Sequence, residues 1–258
     1  MNYRKEAIDN YNNVIIDIYN EHSLICLRGL NGECQIDGKD IYPWYHKATH
    51  YFVEKNKDFN FYKNLEDLIL ISDEIMYFTA NVILNEKFIN DPSKNKIMID
   101  GGRVLFRNFE NLYSKRFDFF TDVCYEKIYN YWDRIGDLIA ACIETGLNKR
   151  NINFTTVIDS IQKEYENNKN YNWLKSYRLN EFKTLNEKRR NVVHYSSTGT
   201  DSRDGYIKSA TDEEKIKEFM EERRSLPNFF KAAINDTIKG FQSTLDFLIY
   251  AQEIDENS

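Results

Sequence analysis

A run of eight residues, Lys188 to Tyr195, concentrates the side chains of this sequence that are best suited to chemistry. The run contains three consecutive cations, the amide of Asn191 and the imidazole of His194. A guanidinium binds phosphate through a planar set of donors, and an imidazole exchanges protons near neutral pH. This octet therefore predicts a site that binds a phosphodiester and moves protons around it.

Helical spacing determines which side chains of the octet can act together. Arg190 and His194 are four residues apart, so they lie on one face of a helix. Arg189 precedes His194 by five residues and points about 140° away on a regular helix. A distorted helix end or a second subunit is then needed to bring Arg189 to His194. Alternatively, cations near a helix C-terminus only complement the helix dipole, which is worth about 0.3–1 kcal/mol.

The elements that must position the octet are predicted to be helices. The 258 residues include only 3 Pro and 10 Gly, which favours long helices over many short strands. The fold class is therefore expected to be all-α, a helical bundle with a loop-rich N-terminal insertion. We expect residues 1–60 to form an N-terminal helix and a loop-rich extension, where a small hairpin is an alternative. Residues 61–254 are expected to form the bundle.

Apolar residues at helical intervals predict the individual helices. They indicate helices over residues 3–19, 62–85, 104–115, 117–143, 155–165, 173–194 and 212–224, and a last helix that begins at Pro227. Asn153 or Thr155 is expected to cap the helix that follows residue 153. The polar residues 196–205 have the composition of a mobile loop. The octet is thus predicted to lie at the end of a long helix, beside a flexible segment.

An Arg-x4-His motif in a predicted helical bundle resembles the HEPN superfamily. The matching residues are Arg189-Arg190-Asn191-Val192-Val193-His194, in which Arg189 gives a spacing of four intervening residues. Many members begin the motif with an Arg-Asn dipeptide, which falls here at Arg190-Asn191 and leaves three residues before the histidine. Family spacing favours Arg189 and helix geometry favours Arg190, so both are candidates.

The resemblance implies a metal-independent endoribonuclease that needs no cofactor, often a toxin or a phage-defence effector. Its catalytic residues would be Arg189, Arg190, Asn191 and His194. An arginine would bind the scissile phosphate, and His194 would act as general acid or base on the ribose 2′-OH or the leaving oxygen. RNA is the implied partner, a homodimer would complete the active site, and an antitoxin or regulatory protein is a further candidate partner.

Three more residues are candidates to support the octet. Asp133 and Asp137 are four apart in the predicted central helix, and either would orient His194, as acidic residues on a facing helix do in family members. The alternative is that both are solvated or pair with nearby cations. Tyr195 directly follows His194, whereas toxin members paired with a nucleotidyltransferase antitoxin often carry a tyrosine two residues after the histidine, where this chain has Ser196.

Composition restricts the other functional classes. The net charge of −6 provides no overall basic surface for nucleic acid. Any contact with nucleic acid must then come from a local basic patch such as the octet. The same patch would also suit a non-catalytic module that binds nucleic acid, a nucleotide or a protein partner. His46 and His50 have the spacing of metal ligands but no third ligand is evident, so no metal site is expected. Unpaired cysteines, the lack of a signal peptide and short apolar runs predict a cytoplasmic protein with no membrane partner.

Overall fold

A computed structural model describes residues 2–256, and helices account for most of them. The helices are α1 Asn2–Glu21, α2 Ile41–Val53, α3 Phe61–Glu86, α4 Leu112–Cys142, α5 Phe154–Ser160, α6 Lys169–Leu179, α7 Glu181–His194, α8 Thr198–Ser209 and α9 Glu213–Glu256. Two short antiparallel hairpins accompany them, β1 Gln35–Ile36 with β2 Lys39–Asp40 and β3 Lys96–Ile99 with β4 Arg103–Phe106. The prediction of an all-α helical bundle is confirmed.

The chain packs as two compact units, each assembled from three segments. The first unit comprises residues up to Leu24 together with Met76–Glu126 and Lys188–Ala232. The second comprises Ile25–Ile75, Lys127–Glu187 and the residues from Ala233 onward. The domains predicted from the sequence, 1–60 and 61–254, stay a prediction.

In the first unit, the hairpin β3–β4 replaces part of a predicted helix. Ile97 pairs with Leu105, and the turn between the strands uses Gly101 and Gly102 at φ values of +80° and +74°. Such positive φ values suit glycine and end helical continuation. The backbone N–H of Phe106 then donates to the carbonyl of Ala210 at 2.8 Å, just after α8. The prediction of a helix over residues 104–115 is therefore wrong, and α4 begins at Leu112 instead of residue 117.

The second unit is organised around Trp132 of α4, whose side chain is fully buried. Its ring stacks on Tyr177 at a centroid distance of 4.2 Å and contacts Phe154 at 4.7 Å. Two glycines permit this packing. A Cβ at Gly240 would overlap the Trp132 ring, and a Cβ at Gly136 would lie 2.7 Å from the backbone nitrogen of Phe154. Neither position has room for a side chain.

The ends of two predicted helices differ from the structure for local reasons. The single helix predicted over residues 173–194 is broken at Asn180, whose φ and ψ of −112° and −86° are not helical. The Asn180 side-chain amide donates to the carbonyl of Ser176 at 2.9 Å, which caps α6 and competes with helix continuation. Pro227 lies inside α9 instead of starting a helix. Its fixed φ is compatible with a helix, at the cost of one backbone hydrogen bond.

The polar segment after the octet is a helix, so the prediction of a mobile loop over residues 196–205 is wrong. Helix α8 occupies Thr198–Ser209, and the Ser197 hydroxyl caps it by accepting from the backbone N–H of Thr200. The predicted cap of α5 is confirmed, since the Asn153 side chain accepts from the Thr156 N–H at 3.1 Å. The octet therefore lies at the end of helix α7 and shortly before helix α8.

Candidate functional site

Helix α7 presents the octet in its last two turns. Earlier in the helix, Phe182 and Leu185 are buried and anchor it in the second unit. At its end the carbonyl of Asn191 accepts from the backbone N–H groups of both Tyr195 and Ser196, at 3.0 and 2.9 Å. The helix thus stays regular through His194, and the octet has the geometry of an undistorted helix end.

Arg190 and His194 form an exposed pair one helical turn apart. Both side chains are exposed. Within residues 2–256, neither side chain forms a hydrogen bond or an ion pair. A guanidinium and an imidazole on one face are therefore both accessible to a ligand from solvent.

Arg189 points toward α4 instead. Its Nε donates to Oε2 of Glu126 at 3.1 Å, and the two side chains are 20% and 40% exposed. This agrees with the direction that a regular helix gives Arg189, about 140° from His194. Glu126 was not among the residues predicted from the sequence to contact the octet. The signal was present in the spacing, because Asp118, Asp122 and Glu126 repeat every four residues along one face of α4.

The acidic residues that the sequence did single out are engaged within the second unit. Oδ1 of Asp133 accepts from the backbone N–H of Phe154 at 3.4 Å, and Oδ2 of Asp137 accepts from Arg134 Nη1 at 2.6 Å. Their support of the octet stays a prediction. Tyr195 is 76% exposed, and its hydroxyl has no hydrogen-bond partner in the part of the chain that the structure describes.

Carboxylates of α4 hold helix α8 in place. The backbone N–H of Thr198 donates to Asp122 Oδ1 at 3.0 Å, which places a negative charge at the N-terminus of α8. Asp118 accepts from Arg223 of α9 at 2.8 Å, and Arg223 also donates to the Ser202 hydroxyl. Burial raises the pKa of Asp118 despite the adjacent guanidinium, and burial likewise raises the pKa of Asp122. Helix α8 is therefore joined to both α4 and α9 by polar contacts.

A pocket of about 230 Å³ lies between these helices in the first unit and was not foreseen from the sequence. Three residues of the octet, all in α7, form part of its lining. Its lining consists of Thr121 and Tyr125 of α4, Lys188, Asn191 and Val192 of α7, Thr198, Asp201, Ser202 and Gly205 of α8, and Phe219, Glu222, Arg223 and Leu226 of α9. Polar groups thus surround a small aromatic and aliphatic surface.

A helical bundle that carries Arg189 to His194 at the end of one helix can be compared with known families. The model of the Cthe2314-like HEPN family matches residues 60–248. The chain belongs to this HEPN family. The resemblance predicted from the octet is confirmed. No curated protein and no solved structure shows a significant match to the chain.

The remaining site predictions for this HEPN chain concern metals and membranes. His46 and His50 of α2 stack with ring centroids 5.6 Å apart. Among the described residues, no group of three or more His, Cys, Asp or Glu side chains is arranged to hold a metal ion. No helix within residues 2–256 combines the length and the apolarity that crossing a membrane requires.

Proposed function

We propose that this protein is a metal-independent endoribonuclease, and the exposed pair of Arg190 and His194 carries the proposal. HEPN proteins are often RNases. Cleavage of RNA without a metal needs a group that moves protons and a cation that stabilises the charge developing on the phosphate. The pair offers both on one accessible face, one turn apart.

The geometry supports a distinct role for each of four residues in the octet. His194 acts as general acid or base on the 2′-OH or the leaving oxygen. Arg190 binds the scissile phosphate, because its guanidinium is exposed beside His194. Arg189 holds α7 against α4 through Glu126 and contributes positive potential. Asn191 donates or accepts a hydrogen bond next to the phosphate.

A homodimer would complete this chemistry. Phosphodiester cleavage by acid–base catalysis uses one group that removes a proton and another that supplies one. The octet contains a single histidine, so two copies of α7 facing each other would supply both groups. Such a dimer acts on RNA in the cytoplasm as a toxin or a phage-defence effector. An antitoxin or another regulatory protein would then be needed to hold the activity in check.

The test is cleavage of mixed single-stranded RNA in the presence of EDTA. We expect His194→Ala to lower the rate by about 10²–10⁴-fold, the usual contribution of a general acid or base. His50→Ala is the matched control, since His50 is also an exposed histidine on a helix but lies in α2. Light scattering should report a mass of two chains. His194→Ala protein that cleaves RNA as fast as the parent protein would refute the proposal.

A second outcome would favour the alternative of a non-catalytic module. Binding of RNA that weakens steeply with salt and gives no cleavage products would indicate that the octet only contacts phosphates. In that case the exposed side chains of Arg190 and His194 would bind RNA but would not cleave it.

A further inference from the structure

Helix α7 both lines the pocket and carries the proposed catalytic pair, Arg190 and His194, on an adjacent face. Successive residues of a helix are rotated by about 100°, so Lys188 and Val192 share the face that lines the pocket. Asn191 also lines the pocket and is rotated by roughly 60° from both Lys188 and His194. Around the helix axis, Arg190 lies about 40° past His194, on the side away from Asn191. Asn191 is therefore the point where the pocket meets the face that would hold the scissile phosphate.

Several polar groups of the pocket have no protein partner. Thr121 is fully buried, and its hydroxyl makes no hydrogen bond within the described part of the chain. An unsatisfied buried hydroxyl is unfavourable, so a ligand that bonds to it is favoured. The side chains of Asn191 and Glu222 likewise have no hydrogen bond or ion pair to any described residue. These groups line the cavity and make no hydrogen bonds to one another.

The size and apolar lining of the pocket fit one planar ring system. About 230 Å³ is below the range of roughly 300–1,000 Å³ that drug-sized ligands occupy. Phe219 and Tyr125 supply aromatic surface beside the polar groups. RNA-binding proteins hold single bases by stacking on aromatic side chains and by hydrogen bonds to the base edges.

We infer that this pocket binds one nucleobase of the RNA, next to the phosphate held by Arg190, and that it favours a base with an exocyclic amino group. The inference rests on the proposed function. The carboxylates of Glu222 and Asp201 line the pocket and can only accept hydrogen bonds when ionised. Adenine, cytosine and guanine each carry an exocyclic amino group that donates to a carboxylate, whereas the only base donor of uracil, its ring N3–H, lies between two carbonyl oxygens that a carboxylate repels. Asp201 already accepts from Ser196, so Glu222 is the selecting group.

The selectivity can be measured with a pool of single-stranded RNA randomised at every position. Sequencing of the cleavage products should show depletion of uracil by about tenfold at one fixed position beside the cut. Glu222→Gln should abolish that depletion, because an amide donates as well as accepts. Glu222 is exposed, so this variant is expected to fold. Glu221→Gln is the matched control, since Glu221 is also exposed in α9 but does not line the pocket.

Each outcome decides the inference. Cleavage without base preference, or with a preference that Glu222→Gln leaves unchanged, overturns the inference and leaves the ribonuclease proposal intact. If the parent protein does not cleave, the proposed function fails. The pocket is then judged by equilibrium binding of the same oligonucleotides, where loss of uracil discrimination in Glu222→Gln supports it and unchanged binding overturns it. Adenosine or cytidine monophosphate that binds this pocket as tightly as the RNA would identify a site for a free nucleotide and overturn the assignment to RNA.

Discussion

The ion pair between Arg189 and Glu126 turns Arg189 away from His194, so Arg190 is the arginine of the octet that we expect to bind the phosphate. The strength of this ion pair follows from the distance between its charges. At the observed 3.1 Å, two unit charges attract by about 1 kcal/mol in water and about 5 kcal/mol in the partly shielded environment of a protein surface. Glu126 is 40% exposed, so solvent and side-chain entropy reduce the net value. We expect a coupling free energy of about 1 kcal/mol.

A double-mutant cycle measures this coupling. Urea unfolding of the parent protein, Arg189→Ala, Glu126→Ala and the double variant should give a coupling of about 1 kcal/mol that decreases at high salt. Arg190→Ala is the matched control and should show no coupling to Glu126→Ala, because its side chain has no ion-pair partner among the described residues. In the RNA assay, Arg190→Ala should lower cleavage by about 10²–10³-fold, more than Arg189→Ala does.

Two results would refute this reasoning. A coupling below about 0.3 kcal/mol would show that Glu126 does not hold Arg189 in solution. Cleavage that is lost in Arg189→Ala and retained in Arg190→Ala would transfer the phosphate contact to Arg189. The motif would then follow family spacing instead of the geometry of an isolated helix.

Two further predictions concern stability. Burial and the nearby carboxylate of Glu181 raise the pKa of Asp236 to about 6. The folded state therefore binds a proton at Asp236 more tightly than the unfolded chain does. As a result, the free energy of unfolding decreases as the pH rises from about 4 to about 6. Asp236→Asn should therefore be more stable than the parent protein by about 1 kcal/mol at pH 7.5, and a denaturant series that shows the same gain at pH 4 would contradict this cause. Gly240→Ala should destabilise by about 1–3 kcal/mol because its Cβ overlaps Trp132, and an unchanged melting temperature would show that the ring moves aside without cost.

Long amphipathic helices were predictable from the sequence because their signal is periodic and local. Helices α1 and α3 match the predicted ranges within two residues at each end. Helix α8 was not predictable in this way, since its sequence is rich in Ser, Thr, Gly and Asp. It is stabilised by partners far along the chain, namely Asp122 and Arg223, which a local pattern does not reveal. The hairpin β3–β4 was missed for a similar reason, because strand pairing outweighs the helical spacing of its apolar residues.

The candidate site was predictable as far as single-helix geometry reaches. The sequence placed Arg190 and His194 on one face and turned Arg189 away from them, and α7 has this arrangement. It did not identify Glu126, because the choice among acidic residues of α4 depends on how two helices pack. It also did not reveal the pocket beside Asn191, whose lining comes from four helices distant in sequence.

The glycines that pack against Trp132 and Phe154 have a consequence for tracing the ancestry of this fold. Gly136 and Gly240 are required by backbone and ring contacts in the second unit, and neither belongs to the octet. Relatives in which the octet has been replaced should therefore still carry small residues at these two positions and a large aromatic residue at the position of Trp132, opposite Gly240. This trio would mark descent even where the residues of the octet differ.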